Sequence, residues 1–168
     1  AVLIWFTLRH RVKKYLRDCY KISNLPCGIC LIINNVDFRD TEHFKTRKGS
    51  NIDAQNFKDV FEKMRFRVIL KHNLTSAEMK KCCEDVKNGL SFKDDVFVCI
   101  ILSHGGYHGQ IYGVDATVDK DGNLVESSIT VNSIVKQFND ENCFVLQGKP
   151  KVFLINACRG GKILKSSL

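Results

Sequence analysis

Two side chains in this sequence could do nucleophilic chemistry together. Cys158 lies in Val152-Phe153-Leu154-Ile155-Asn156-Ala157-Cys158-Arg159-Gly160-Gly161, and His104 in Ile100-Ile101-Leu102-Ser103-His104-Gly105-Gly106. Each follows a short apolar run that stops abruptly, as a strand covered on both faces does at its carboxyl end. Open α/β sheets carry their chemistry at that edge. Arg159 and the loss of apolar cover favour the thiolate of Cys158, which is the reactive form. An imidazole at the matching strand end can manage the leaving-group proton when that thiolate attacks a carbonyl. Gly105 lets a backbone N–H come close to a substrate, and with the N–H of Cys158 it would form an oxyanion hole. His108, four residues further into the loop, is the second candidate base. A lone thiol is commonly structural; it is the pairing at equivalent strand ends, each followed closely by glycine, that argues for a site.

Other motifs carry less. Cys27-Gly28-Ile29-Cys30 has redox spacing, but it precedes a strand, whereas a redox pair follows one and caps a helix. Both thiols therefore read as structural. Cys82 and Cys83 are neighbours on a helix and cannot chelate together. The acidic stretch through Asp119 and Asp121-Gly122 resembles part of a calcium loop, but Thr117 and Ser128 stand where the terminal carboxylates belong, so it reads as a hairpin turn. No metal site and no organic cofactor is expected.

The 168 residues suffice for one domain with a real core. The eight cysteines are scattered through apolar segments rather than loops, which reads as reduced thiols in a cytoplasmic protein. No apolar run approaches the roughly 18 residues of a membrane span. The opening Ala1-Val2-Leu3-Ile4-Trp5-Phe6-Thr7-Leu8 is too short for one and has no basic leader. The chain opens on Ala, and a piece of a longer protein is expected. The net charge of +8 is uneven: +4 falls in residues 1–20 and +3 in 159–168, leaving +1 for the rest. Basic ends on a near-neutral body, with no aromatic-interleaved basic stripe, exclude nucleic-acid binding as a leading reading.

The elements that must position the two residues follow in order. Residues 1–19 form a basic lead-in or linker, and 20–168 the domain. A strand covers Gly28 to Val36, and a polar loop runs on to about Ser50. A helix capped by Ser50 or Asn51 then carries Ile52, Phe57, Val60, Phe61 and Met64 on one face. A second strand covers Arg65 to Leu70. Thr75 with Glu78 forms a capping box that opens a helix ending at Gly89. The strongest strand is Asp95 to Ser103. The Gln110–Tyr112 segment, the acidic hairpin and a helix from Thr130 to Phe138 lead to the last strand, expected to be buried on both faces and flanked by further strands. Alternating strands and helices predict an α/β fold, a three-layer sandwich with a largely parallel central sheet.

These motifs resemble the caspases. Asn156-Ala157-Cys158-Arg159-Gly160 is similar to their nucleophile motif Q-A-C-R-G, which has a histidine about 50 residues upstream. His104 lies 54 residues before Cys158. Ser103-His104-Gly105 with Gly109-Gln110-Ile111-Tyr112-Gly113 resembles the histidine loop, and Cys30-Leu31-Ile32-Ile33-Asn34-Asn35 the first strand. Arg47-Lys48-Gly49-Ser50-Asn51-Ile52-Asp53-Ala54 is similar to the segment whose arginine binds the substrate's aspartate. The likeness runs from about Tyr20 to Gly161, and its wording leans toward the initiator caspases. The resemblance implies a large-subunit portion of a cysteine endopeptidase of apoptosis that cleaves after aspartate, with Cys158 as nucleophile, His104 as acid and base, and Arg47 and Asn156 in the aspartate pocket. Asn156 stands where the family carries glutamine, one methylene longer. The resemblance also implies protein substrates, a separate small subunit absent from this chain, and a dimer of large/small heterodimers. A non-catalytic regulator that binds active caspases is the alternative.

Overall fold

Along Gly28–Asn34 every side chain is buried, and so is every one along Val96–Leu102. Such strands require cover on both faces, and the chain supplies it. The computed structural model of the protein describes residues 2–6 (backbone only), 20, 22–121, 123–125 and 127–157. Its elements are β1 (Val2–Phe6), β2 (Gly28–Asn34), α1 (Ser50–Lys63), β3 (Arg67–His72), α2 (Ser76–Asn88), β4 (Val96–Leu102), β5 (Gln110–Tyr112), β6 (Thr117–Val118), β7 (Leu124–Val125), β8 (Ser128–Thr130), α3 (Val131–Gln137) and β9 (Lys151–Asn156). The central sheet has the order β1-β9-β4-β2-β3, with β3, β2, β4 and β9 parallel and β1 antiparallel to β9.

Strand alternation sorts the core into two layers. Ile29, Leu31, Ile33, Phe97, Cys99, Ile101, Phe153 and Ile155 turn to the face covered by α2 and α3, where Met79, Cys83, Val86 and Ile134 meet them. Cys30, Ile32, Val98, Ile100 and Leu102 turn to the other face, against Ala54, Phe57 and Phe61 of α1. This is the expected three-layer sandwich. Phe97 anchors the first layer: its ring stacks on Phe138 at 4.1 Å between centroids and meets Phe153 edge-on at 6.0 Å.

The expected capping box is formed: Thr75 Oγ1 accepts from the Glu78 amide at 3.2 Å, and Glu78 Oε2 from the Thr75 amide at 2.8 Å. The start of α1 differs from expectation. Gly49, with φ of 88°, occupies the cap position without a side-chain cap bond. The Ser50 hydroxyl instead donates to Asn34 Oδ1, and the side-chain Oδ1 of Asn51 accepts from Asn34 Nδ2. The apolar face also rotates, because Ala54, Phe57 and Phe61 meet the sheet while Ile52, Val60 and Met64 are exposed.

Two expectations about the last strand are corrected. Val152 and Leu154 are only half-buried, and α1 packs on β2 and β3 rather than on β9. The residues expected as lead-in include a strand, β1, which pairs with β9 from Val2 opposite Asn156 to Phe6 opposite Val152. Sequence could not signal this: a five-residue apolar run has no partner-specific pattern. The strand also begins one residue earlier than the apolar run, at Lys151. That lysine is buried, and its Nζ donates to Asp140 Oδ1 at 2.8 Å, the Leu146 carbonyl at 2.7 Å and the Lys149 carbonyl at 2.8 Å. The acidic stretch is the expected hairpin, β6 with β7, in which Asp119 Oδ1 accepts from the amides of Asp121 and Asn123.

Truncating the ring that joins three elements gives the first prediction. Phe97→Ala should lower unfolding stability by about 3–5 kcal/mol, the usual loss for a buried aromatic, read as a fall in urea midpoint without a change in slope.

Candidate functional site

Parallel pairing aligns three strand ends. Asn34 of β2 lies opposite Leu102 of β4, and Leu102 opposite Asn156 of β9. His104 is two residues beyond Leu102 in the sequence, and Cys158 two beyond Asn156. Cys158 itself lies outside the described residues, as does its backbone N–H in the expected oxyanion hole.

Buried polar groups tie the strand ends to one another. The Ser103 amide donates to the Asn156 carbonyl at 3.2 Å, and the Asn35 amide to the Leu102 carbonyl at 2.8 Å. The Ser103 hydroxyl donates to the Tyr112 carbonyl at 2.7 Å. Asn35 Nδ2 donates to that same carbonyl at 3.2 Å, while its Oδ1 accepts from the Leu74 amide at 2.9 Å. Both side chains are buried, and leaving such groups unpaired costs roughly 1–3 kcal/mol each. The network therefore fixes where the chain leaves β2 and β4.

His104 leaves β4 into a narrow hairpin. Its carbonyl accepts from the Tyr112 amide at 2.9 Å, and the Gly106 amide donates to the Gln110 carbonyl at 3.0 Å. Gly105, between them, bridges Ile111 without taking part in either bond, so its N–H faces away from the hairpin. That leaves a donor directed outward from a rigid turn. A Cβ at Gly106 would meet the Tyr112 hydroxyl, so any larger residue there would have to displace that side chain.

The imidazole is held from three sides. Nε2 lies 2.7 Å from the Lys45 carbonyl, which can only accept, so Nε2 carries the proton and Nδ1 remains the basic nitrogen. The Phe38 ring meets it edge-on at 4.8 Å, and Phe44 lies tilted at 5.9 Å. Burial pushes the His104 pKa below its ordinary value, and the nearby Arg47 charge adds to the effect, while the bond to Lys45 opposes it. Neutral imidazole is thus the favoured form. His108, by contrast, sits in a turn with φ of 55° and is exposed, away from this packing.

The loop from residue 37 to 49 delivers both Lys45 and Arg47. Phe38 and Phe44 pack with Tyr112 and Ala116 into a small cluster of their own. The Asp40 carboxylate accepts from His43 at 2.9 Å and from the Val118 amide at 3.2 Å, fastening the loop to β6. Arg47 donates through Nη1 to Ser50 Oγ at 2.7 Å, and Ser50 Oγ donates to Asn34 Oδ1 at 2.6 Å. A second bond runs from Nη1 to the Asn35 carbonyl at 3.3 Å. The guanidinium is therefore tied to the end of β2, on the same sheet edge as His104. Of the residues singled out in the sequence, the structure places His104, Gly105, Arg47 and Asn156 at this one edge. Sequence reading missed Lys45, which acts through a carbonyl that every residue has, and Phe38, Phe44 and Asn35, which read as ordinary core and loop residues.

Among the described residues the thiols are quiet. Cys27, Cys30, Cys82, Cys83, Cys99 and Cys143 are all buried and free. Burial raises every one of them, Cys30 and Cys83 to about 12. Cys30 sits inside β2, where no redox partner chemistry can reach it.

A family model of the caspase domain matches residues 27–167. Caspase-3 of Mus musculus is 34% identical over 149 residues, covering 89% of this chain and 50% of that protein. Caspase-3 of Bos taurus is 32% identical over 148 residues, covering 88% and 50%. The chain thus spans about half the length of the curated relatives it matches. A match over most of the chain, to a family whose motifs coincide with the aligned strand ends, leaves one assignment: this chain belongs to the caspase family.

Proposed function

We propose that the protein is the large-subunit portion of a cysteine endopeptidase that cleaves proteins after aspartate in apoptotic signalling. The observation that carries the reading is His104, with Nε2 tied to the Lys45 carbonyl and Arg47 two residues further along the same loop. In this reading Nδ1 of the neutral imidazole takes the thiol proton of Cys158, and the thiolate so formed attacks the carbonyl carbon of the scissile bond. The π electrons move to oxygen, and the N–H groups of Gly105 and Cys158 stabilise the oxyanion. Imidazolium then gives its proton from Nδ1 to the departing amine, leaving a thioester. Water, losing its proton to Nδ1, hydrolyses the thioester, and Nδ1 returns that proton to the departing sulfur. Lys45 keeps the ring in the tautomer both steps need.

Arg47 binds the substrate carboxylate in this scheme. A guanidinium presents its donors in a fixed fork suited to carboxylate. Asn156 lines the same pocket. A caspase small subunit completes the groove, and two large/small pairs form the dimer; the compartment is the cytoplasm. The runner-up, a catalytically impaired regulator that binds active caspases, rests on Asn156, whose shorter amide reaches less far than glutamine.

Three outcomes test this reading, each in the complex with a small subunit. Cys158→Ala should abolish turnover of an Asp-containing peptide, whereas Cys27→Ser and Cys30→Ser should leave it nearly unchanged. An inactive wild-type complex that still binds an active caspase would favour the regulator. Arg47→Lys keeps the charge but loses the fork. It should lower kcat/KM for that peptide by on the order of 2 kcal/mol, about thirtyfold, and Asn156→Gln should sharpen preference for aspartate over glutamate.

The pH profile follows from the buried ring. A histidine pKa held below the ordinary value of about 6.5 keeps the base neutral at pH 7, and activity falls only as pH drops through that lowered value. The sign for stability agrees: in this window the unfolded state binds more protons, so stability also falls with acid. Phe38→Ala admits water to the ring, and the acid limb should move up toward 6.5. Titration of the His104 ring protons by NMR checks the same shift without turnover.

A further inference from the structure

The outer edge of β9 is closed by β1, the one antiparallel strand of the central sheet. The other four strands are joined through helices, whereas β1 precedes that run and pairs with β9 alone. As an edge strand with one partner, β1 can leave without breaking any other strand pair of the sheet. Its hold on the edge is narrow. The carbonyls of Pro150 and Asn156 accept from the β4 side, so by strand alternation Phe153 and Ile155 turn their backbone groups to β1. Leu3 opposite Ile155 and Trp5 opposite Phe153 are then the hydrogen-bonded pairs, and Ile4 opposite Leu154 is a non-bonded pair.

A second observation points to what else fits there. On the α1 face, Val98, Ile100 and Leu102 of β4 are buried, while Val152 and Leu154 of β9 are only half-buried. Parallel sheets are ordinarily covered on both faces. Cover on this side ends with β4, so apolar surface continues outward to the edge that β1 occupies.

We infer that β1 is an exchangeable strand that blocks the β9 edge against the strand of the small-subunit partner, so that β1 must detach before the two subunits can form one sheet. The occupant it holds off is an apolar strand added by backbone pairing, with flanking side chains that cover Val152 and Leu154. This rests on the small-subunit partnership proposed above. A tethered competitor lowers apparent affinity by the fraction of molecules whose edge is open. Detaching β1 should strengthen partner binding, and locking it should weaken binding.

Both directions can be made in the full chain. Leu3→Pro with Trp5→Pro removes the two donors that face β9, and binding of a caspase small subunit should tighten at least tenfold. Ile4→Cys with Leu154→Cys places a disulfide across the non-bonded pair. The oxidised form should bind at least tenfold more weakly than the same protein after reduction, which is its own folding control. Equal affinity of the oxidised and reduced forms overturns the inference and leaves the proposed function standing. If the small subunit binds none of the forms, the partnership fails instead, and hydrogen exchange then judges β1 alone. The amides of Phe153 and Ile155 should exchange at least a hundredfold faster than those of Cys99 and Ile101 in wild type. Equal protection would mean that β1 is a permanent strand.

Discussion

The site depends on a backbone constraint before it depends on any side chain. Parallel hydrogen bonding sets Asn34, Leu102 and Asn156 on one level. A slip of one residue in β4 against β9 would turn Phe97, Cys99 and Ile101 out of the α2–α3 layer, so the hydrophobic pattern enforces the register. Burying side chains on both faces makes that enforcement strong. Chemistry can then be placed by counting residues past the line, because the strands cannot move relative to each other without undoing both layers of the core.

The polar groups just past the line convert register into orientation. Asn35 and Ser103 are buried and their side chains are bonded to backbone, so the exits from β2 and β4 have little freedom. The loop that follows β2 carries Lys45 and Arg47 back over His104, with Phe38 and Phe44 filling the space between. The same rings that exclude water from the imidazole also strengthen its bond to the Lys45 carbonyl, since a hydrogen bond gains in a low dielectric. Positioning and pKa lowering thus come from one piece of packing. Arg47, tied through Ser50 to Asn34, keeps its position because its partner is itself fixed by β2.

Much of this was legible in the sequence, for identifiable reasons. Unbroken apolar runs such as Val96–Leu102 announce strands covered twice, and the Thr75–Glu78 box announces a helix start, because both signals are local. The α1 face was misread because Ile52, Val60 and Met64 do fall on a helical stripe; which stripe meets the sheet is decided by where the chain enters the helix, at Gly49. Ser50 looked like a cap by type, yet tertiary contact with Asn34 claimed its hydroxyl. β1 was read as lead-in because pairing with β9 is nonlocal, between residues separated by almost the whole chain. His104, Gly105 and Arg47 were legible by type. Lys45 was not, because its contribution is a carbonyl oxygen whose value comes only from its place.

A chain with eight cysteines must also confine its reactivity. The six among the described residues are all buried, and desolvation raises each thiol pKa. At about 12, as for Cys30 and Cys83, the thiolate fraction at pH 7 is on the order of 10⁻⁵, against a few per cent for an ordinary thiol near 8.5. That gap of about a thousandfold outweighs any difference in the intrinsic nucleophilicity of these sulfurs, which falls as pKa falls but far less steeply. The core thiols are therefore kept out of reaction by the same burial that stabilises the sheet. Among the described residues, no thiol then needs further suppression. The proposed nucleophile, Cys158, falls in the sequence two residues past Asn156, where β9 ends.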